Sequence, residues 1–234
     1  MNTKHALIVC PLATQNAEPD HTVCGGSSVL DRSYDLRIAV DGGAQWFRAR
    51  NIMPDFAVGD FDSADAETRN WLQTLDVPIR RVPQDKEYSD LELALQIGEQ
   101  QQVQSATILG AVGGRIDHQL CVLGALIRSS VPELSLQDAA QSIRLLRAGQ
   151  TLDLDARNKT FSVISLQRAV VTITGARWPL NQVTLEPLSS HGLSNEALGE
   201  ASAETSSKTH SRAPGKVSTT VTVTKGSAFV IAIL

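Results

Sequence analysis

The sequence lacks the features that mark several common classes of protein. Its three cysteines, Cys10, Cys24 and Cys121, are odd in number and widely spaced, so they indicate neither a metal site nor a disulfide framework. We therefore expect a reducing compartment, the cytoplasm. The formal net charge is -4 and no basic run occurs, which argues against a nucleic-acid partner. No stretch approaches the roughly 20 apolar residues of a membrane-spanning helix, so we expect no membrane partner.

The first half of the chain alternates strand-like and helix-like segments. Such alternation predicts an α/β domain with a mostly parallel sheet flanked by helices. Ser89 and Glu92 have the spacing of a capping box, and Ser63 is a candidate N-cap. The predicted strands are 7–9, 37–40, 56–58, 78–82 and 106–109, and the predicted helices are 44–50, 64–74, 90–102 and 117–128.

The second half has the pattern of short strands and turns. Residues 169–174 form an apolar run that stops at Gly175, and residues 217–224 alternate Val with Ser or Thr before a turn at Lys225-Gly226. Period-two alternation with close turns predicts an all-β, sandwich-like domain. We place the domains at 1–140 and 141–234, and expect surface loops at 11–33 and 196–216.

Four polar clusters each follow a predicted strand. They are Asp41-Gly42-Gly43, the stretch Gly59 to Ser63, residues 86–90, and residues 113–118. In an open parallel sheet, ligands bind in the crevice beyond the carboxyl ends of the strands. The four clusters therefore predict a metal and phosphate site at this edge of the sheet.

Asp60 and Asp62 carry the strongest chemical signal in these clusters. An i, i+2 pair on extended backbone directs both side chains to one side. Two carboxylates at so short a distance repel each other unless a cation lies between them. Oxygen ligands of this kind suit Mg²⁺, which also binds substrate phosphates. The alternative is a solvated Asp-rich turn.

The other cluster residues also have structural alternatives. Arg115 after Gly113-Gly114 fits a phosphate site, because glycine allows close approach and a guanidinium matches phosphate oxygens. The remaining members are each open to a structural interpretation: Asp41-Gly42-Gly43 as a turn, Lys86 as a surface lysine, Asp90 as a first-turn carboxylate, Asp117 as an N-cap, and His118 as an ordinary helix residue. The chain has no P-loop and no Gly-x-Gly-x-x-Gly fingerprint, so any nucleotide is bound by other means.

Taken together, these motifs resemble those of the thiamine pyrophosphokinases in order and spacing. The resemblance covers about residue 36 to the C-terminus, and it also includes residues 174–180 and 192–196 in the β domain. Three positions depart from the family pattern: Gln45 stands for the usual Asn, and Glu87 and Ser89 stand for Asp and Thr. The last two substitutions preserve the type of side chain.

The resemblance implies transfer of a pyrophosphoryl group from ATP to the hydroxyl of thiamine. It implies that Asp60, Asp62 and Asp90 hold Mg²⁺, with Asp41 as an additional candidate ligand. Asp90 would also meet thiamine and is a candidate to take its hydroxyl proton. Arg115 would stabilise phosphate charge. The implied ATP- and phosphate-binding residues are Asp41, Gly42, Gly43, Lys86, Ser89, Gly114, Arg115, Asp117 and His118.

For the β domain, the resemblance implies that Trp178, Ser194 and Asn195 contact thiamine. Core packing is the alternative for Trp178. The resemblance also implies a homodimer. Two other functions stay open at this point: a pyrophosphokinase for another hydroxymethyl heterocycle, such as a pterin, and a sensor that binds thiamine or nucleotide without catalysis.

Overall fold

The computed structural model describes residues 3–14, 29, 32–75, 77–81, 88–154, 160–198 and 218–234. These residues divide into two compact units, the first within 3–139 and the second within 140–234. No helix of the described segments is long and apolar enough to cross a membrane. The expected loops at 11–33 and 196–216 lie largely outside the described residues.

In the part of the chain that the structure describes, the first unit is built on six parallel strands. The strands are β1 (His5–Val9), β2 (Leu36–Val40), β3 (Phe56–Gly59), β4 (Ile79–Arg81), β5 (Ser105–Leu109) and β6 (Glu133–Gln137). Their order across the sheet is β6-β5-β1-β2-β3-β4, and each neighbouring pair runs parallel. The chain thus moves outward from β1 in one direction and returns to its other side at β5, and such a reversal is where ligands bind in open α/β sheets.

Within the described residues, four helices connect these strands: α1 (Ala44–Ala49), α2 (Ala66–Thr74), α3 (Asp90–Gln100) and α4 (Ile116–Arg128). The capping box that Ser89 and Glu92 predict at the start of α3 is present. The assignment of Ser63 as the N-cap of α2 is wrong. The helix begins two residues later, because Asp65 accepts the hydrogen bond from the backbone N–H of Thr68.

The second unit is an antiparallel sandwich. Its strands are β7 (Gln141–Arg147), β8 (Thr151–Leu154), β9 (Thr160–Ile164), β10 (Ala169–Thr174), β11 (Leu180–Leu185), β12 (Asn195–Glu196), β13 (Thr219–Lys225) and β14 (Ser227–Ile233). They form one sheet in the order β12-β9-β14-β7 and another in the order β11-β10-β13-β8. Buried side chains from both sheets make one core, with Phe161, Val171 and Val221 fully enclosed. The predicted fold class is confirmed for both halves.

His5, at the start of β1, belongs to a polar group at the end of the sheet away from the clusters. Its Nε2 lies 3.1 Å from Thr107 Oγ1, and its ring stacks on Tyr34 with centroids 5.1 Å apart. Burial, aided by the charge of Arg32 and opposed by that of Asp35, lowers the pKa of His5 below 6.5.

We expect this histidine to make stability depend on pH. Its pKa is lower in the folded chain than in the unfolded chain, so the unfolded state takes up the proton first as pH falls. The contribution of His5 to the free energy of unfolding should therefore be fully present above about pH 6.5 and should decrease as pH falls below that value. Urea unfolding of the native protein and of His5→Gln at several pH values measures this. Equal declines in both proteins would show that another group is responsible.

Candidate active site

The first polar cluster begins where β2 ends. Asp41 has φ +46° and opens a short 3-10 turn, Asp41–Gly43, that leads directly into α1. A Cβ at Gly43 would lie 2.0 Å from the carbonyl oxygen of Val9 at the end of β1. The turn can pack this closely on β1 only with glycine there, and this packing fixes Asp41 at the carboxyl edge of the sheet.

The second cluster follows β3 and brings two further carboxylates to the same place. Between Asp60 and Asp62, Phe61 adopts φ +62° and its side chain is buried. The buried phenyl ring anchors the turn and leaves both carboxylates exposed. Gly59 packs closely against Asp41: a Cβ atom at Gly59 would lie 3.1 Å from the Asp41 Cα atom. Two non-glycine residues with positive φ mark strain of the kind that clusters at functional sites.

Asp41, Asp60 and Asp62 form an acidic triad: each offers a carboxylate oxygen, and these oxygens all lie within 4.8 Å of one another. Burial is the main reason that the pKa of Asp41 is raised. A hydrogen bond from Ser63 opposes this rise, and the charges of Asp62, Asp60 and Asp90 add to it. An acidic group this crowded is a suitable place for a cation.

The hydrogen bonds of Asp41 leave one of its oxygens available. Its Oδ2 accepts a bond from the Ser63 hydroxyl at 2.5 Å, and that hydroxyl accepts a bond from the Gly42 N–H at 2.9 Å. Its Oδ1 is buried and has no hydrogen-bond partner within the described part of the chain. A buried carboxylate oxygen without a partner is costly, and a metal ion would satisfy it.

A cleft of about 720 Å³ opens beside Asp41. Its walls come from the residues that follow β1, β2 and β5, from the first turn of α3 and from the first two turns of α4. Most of the predicted phosphate-site residues therefore line one cavity. The lining includes Cys10, Leu12, Asp41, Ser89, Asp90, Gly110, Gly113, Gly114, Arg115, Asp117, His118 and Val122.

Asp90 lies on this cleft but outside the acidic triad. It is the first residue of α3, and its charge acts on both Asp41 and Cys10. Burial, followed by the charges of Asp90 and Asp41, raises the pKa of the Cys10 thiol to about 12. The Cys10 thiol is therefore protonated at physiological pH. It lines the cleft as a neutral side chain and does not act as a nucleophile.

Arg115 is held by Asp117 through two hydrogen bonds. Its Nε donates to Oδ1 at 3.1 Å and its Nη2 donates to Oδ2 at 2.6 Å. This pairing lowers the pKa of Asp117 to about 2. Asp117 is not an N-cap, since Arg115 occupies that position without a side-chain cap bond. The contacts make Asp117 a support for the guanidinium, whereas a carboxylate facing phosphate would be repelled.

The remaining predicted residues of the first unit have different surroundings. Gly113 and Gly114 have φ +117° and +67°, so this loop needs glycine at both positions to enter the cleft. The Ser89 hydroxyl caps α3 through Glu92. The exposed His118 is in the first turn of α4. Lys86 lies outside the described residues.

In the second unit, Trp178 and Asn195 meet at the turn after β10. Trp178 is 51% exposed, so it is not a core residue. Asn195 is buried, and its Oδ1 accepts from the Trp178 N–H while its Nδ2 donates to the Trp178 carbonyl. The amide of Asn195 thus holds the Trp178 turn in place. Ser194 is exposed with φ +55°, and its N–H donates to Ser162 Oγ.

Some contributors to these sites were not identified from the sequence. The sequence predicts Ser63 as a helix cap, yet its hydroxyl holds Asp41; its place directly after Asp62 is the available signal. Arg177 and Glu196 flank Trp178 and Asn195 in the chain, but ion pairing between residues 19 positions apart has no local sequence signature.

Comparison with known proteins agrees with this geometry. Residues 29–137 match the family model described as "Thiamin pyrophosphokinase, catalytic domain". Residues 149–209 match the one described as "Thiamin pyrophosphokinase, vitamin B1 binding domain". Together the two models span most of the chain, in the same order as the two units.

Individual relatives are similar over most of their length. The chain is 27% identical to a thiamine pyrophosphokinase of Bacillus subtilis over 170 residues, which is 70% of this chain and 79% of the relative. It is 25% identical to thiamin pyrophosphokinase 1 of Caenorhabditis elegans over 187 residues, covering 73% and 74%.

The fold is also found in solved structures. The crystal structure of thiamine pyrophosphokinase from Bacillus subtilis superposes with a TM-score of 0.74 at 22% identity, and the match covers 99% of each chain. The two family models account for both units, and the structural match extends over both. The chain belongs to the thiamin pyrophosphokinase family.

Proposed function

We propose that this protein transfers the pyrophosphoryl group of ATP to the hydroxyl of thiamine, giving thiamine diphosphate and AMP. The observation that carries the proposal is the acidic triad of Asp41, Asp60 and Asp62, whose member Asp41 also lines the cleft. A metal site beside a cavity that also presents Arg115 suits a metal-bound polyphosphate. In this proposal, residues 1–140 form the catalytic domain and residues 141–234 the thiamine-binding domain.

The acidic triad fits Mg²⁺ in its donor set. All three ligands are carboxylates, and the buried Oδ1 of Asp41 lacks a protein partner among the described residues. Asp90, on the same cleft, would complete the predicted set with Asp60 and Asp62. Bound there, Mg²⁺ would neutralise phosphate charge and polarise the phosphorus under attack.

The cleft residues would position ATP. Arg115, which pairs with Asp117, would direct its guanidinium at phosphate oxygens, and Lys86 is assigned the same role as a point charge. The backbone N–H groups of Gly113-Gly114 would approach the phosphates closely. The Gly42 N–H is bonded to Ser63, so Gly42-Gly43 would contribute through the turn that places Asp41. Asp90 is our candidate to accept the proton that the thiamine hydroxyl loses. Ser89 and His118 remain proposed contacts at the rim.

Trp178 would provide a flat surface for thiamine, whose thiazolium ring is a cation. An indole face attracts such a cation through its π electrons. Ser194 is exposed and precedes Asn195 in the chain, while Asn195 would act by holding the turn. The homodimer implied by the resemblance is part of this proposal. We also propose a cytoplasmic location, since the described cysteines, Cys10 and Cys121, are free thiols.

A product assay tests the proposal and its closest competitor together. Purified protein with ATP and Mg²⁺ is given either thiamine or a hydroxymethylpterin, and the products are resolved chromatographically. We expect AMP and thiamine diphosphate, with no transfer to the pterin. ADP with thiamine monophosphate would show simple phosphoryl transfer instead, and binding without turnover would indicate a sensor.

A further inference from the structure

The exposed ring of Trp178 has a charged neighbour that the proposed function does not use. The guanidinium carbon of Arg177 lies 4.7 Å from the centroid of the indole ring. A cation at this distance is attracted to the ring and restrains it. With Trp178 51% exposed, the ring still has accessible surface for a ligand.

Arg177 is itself held from two directions by Glu196. The Arg177 N–H donates to the Glu196 carbonyl at 2.9 Å. Its Nη1 donates to both carboxylate oxygens of Glu196, at 3.1 and 3.0 Å. The pair is part of a wider pairing of residues 175–178 with 195–198, in which Leu198 N–H also bonds to the Gly175 carbonyl. Trp178 is therefore placed by backbone and side-chain contacts together.

This arrangement raises an electrostatic question for a cationic ligand. A thiamine ring stacked on Trp178 would lie within several ångströms of the Arg177 charge, and two like charges at such a distance repel. Glu196 supplies an equal and opposite charge at hydrogen-bond distance from Arg177. The pair can then restrain the indole ring without opposing a cation on it.

We propose that Arg177 and Glu196 are positioning residues for the thiamine site: Arg177 braces Trp178, and Glu196 neutralises Arg177 so that the ring can accept a cationic heterocycle. This inference rests on the proposed function, because it takes thiamine as the ligand of Trp178. It adds that selection for a positively charged ring depends on the Glu196 carboxylate.

The test compares thiamine with its neutral thiophene analogue, which keeps the shape of the ring and lacks its charge. Dissociation constants for both are measured by calorimetry on the full chain, as native protein and as Glu196→Gln. We expect Glu196→Gln to weaken thiamine binding about fivefold and to leave binding of the neutral analogue nearly unchanged. High salt should reduce the difference between the ligands.

Two further variants act as controls. The double variant Arg177→Gln with Glu196→Gln removes both charges, so the ratio of the two dissociation constants should return to the native value. Glu186→Gln breaks an exposed ion pair with Arg168, 2.9 Å long, at the opposite end of the β10–β11 hairpin. It should change neither constant.

The outcomes separate this inference from the proposed function. If native protein binds no thiamine, the proposed function fails and the inference fails with it. If native protein binds thiamine, but Glu196→Gln weakens both ligands equally, Glu196 is only a structural support and the inference is wrong. Unchanged binding of both ligands would also overturn it.

Discussion

Replacing Asp60 or Asp62 with asparagine should lower turnover by at least about a hundredfold, the scale seen when a charge-stabilising group is removed from an active site. Each substitution deletes one carboxylate charge from the acidic triad and keeps the shape of the side chain. Both side chains are exposed, so the folded state does not depend on them for its core. Turnover with ATP and thiamine, and circular dichroism of the same samples, measure the two effects.

The matched control for these variants is Glu67→Gln. Glu67 is an 80% exposed carboxylate of the same unit that pairs with Arg48 at 2.6 Å. Its loss removes the same charge from the protein without touching the acidic triad, so turnover should stay near the native value. Near-native turnover in Asp60→Asn and Asp62→Asn would contradict the metal site. Equal losses in all three variants would point to net charge rather than to a ligand.

Replacing Trp178 with alanine should weaken thiamine binding by about tenfold to a hundredfold, which corresponds to about 1–3 kcal/mol of lost stacking and cation–π energy. ATP binding should be nearly unchanged, because the proposed phosphate contacts belong to residues of the first unit. Trp178→Phe should recover part of the affinity, since a smaller aromatic face remains. Titrations with thiamine and ATP on both variants measure these differences.

The exposure of Trp178 makes a further expectation possible. A core tryptophan replaced by alanine would destabilise a protein by about 3–5 kcal/mol, but a residue that is 51% exposed should cost much less. Thermal melts of Trp178→Ala should therefore lie close to those of the native protein. A large loss of stability with unchanged thiamine affinity would refute the role in binding.

Much of the fold could be predicted from local sequence, because hydrophobic patterns are local. The buried runs of β1, β2 and β5 and the alternation in β13 each fall on the segments expected. The start of α2 could not be predicted in this way. Ser63 and Asp65 are both good caps, and the choice between them is decided by Asp41, which engages Ser63 from a residue 22 positions away.

The candidate site was predictable in its location and less so in its contacts. Positions after strands converge because parallel strands end at one edge, so the sequence predicts that Asp60 and Asp90 both lie near Asp41. The sequence indicates Asp41 only as an additional candidate ligand, because its contact with Asp60 and Asp62 requires Gly59 to let two loops pack together. For the same reason the roles of Asp117 and Asn195, as supports for Arg115 and Trp178, emerge only from three-dimensional contacts.

The central claim is that the two outer phosphates of ATP move together to thiamine. The most direct measurement follows radioactive phosphorus placed at the α or the γ position of ATP, with Mg²⁺ and thiamine present and the products separated. The proposed reaction predicts that γ label appears in thiamine diphosphate and that α label appears in AMP. Label from the γ position in thiamine monophosphate, with α label in ADP, would contradict it.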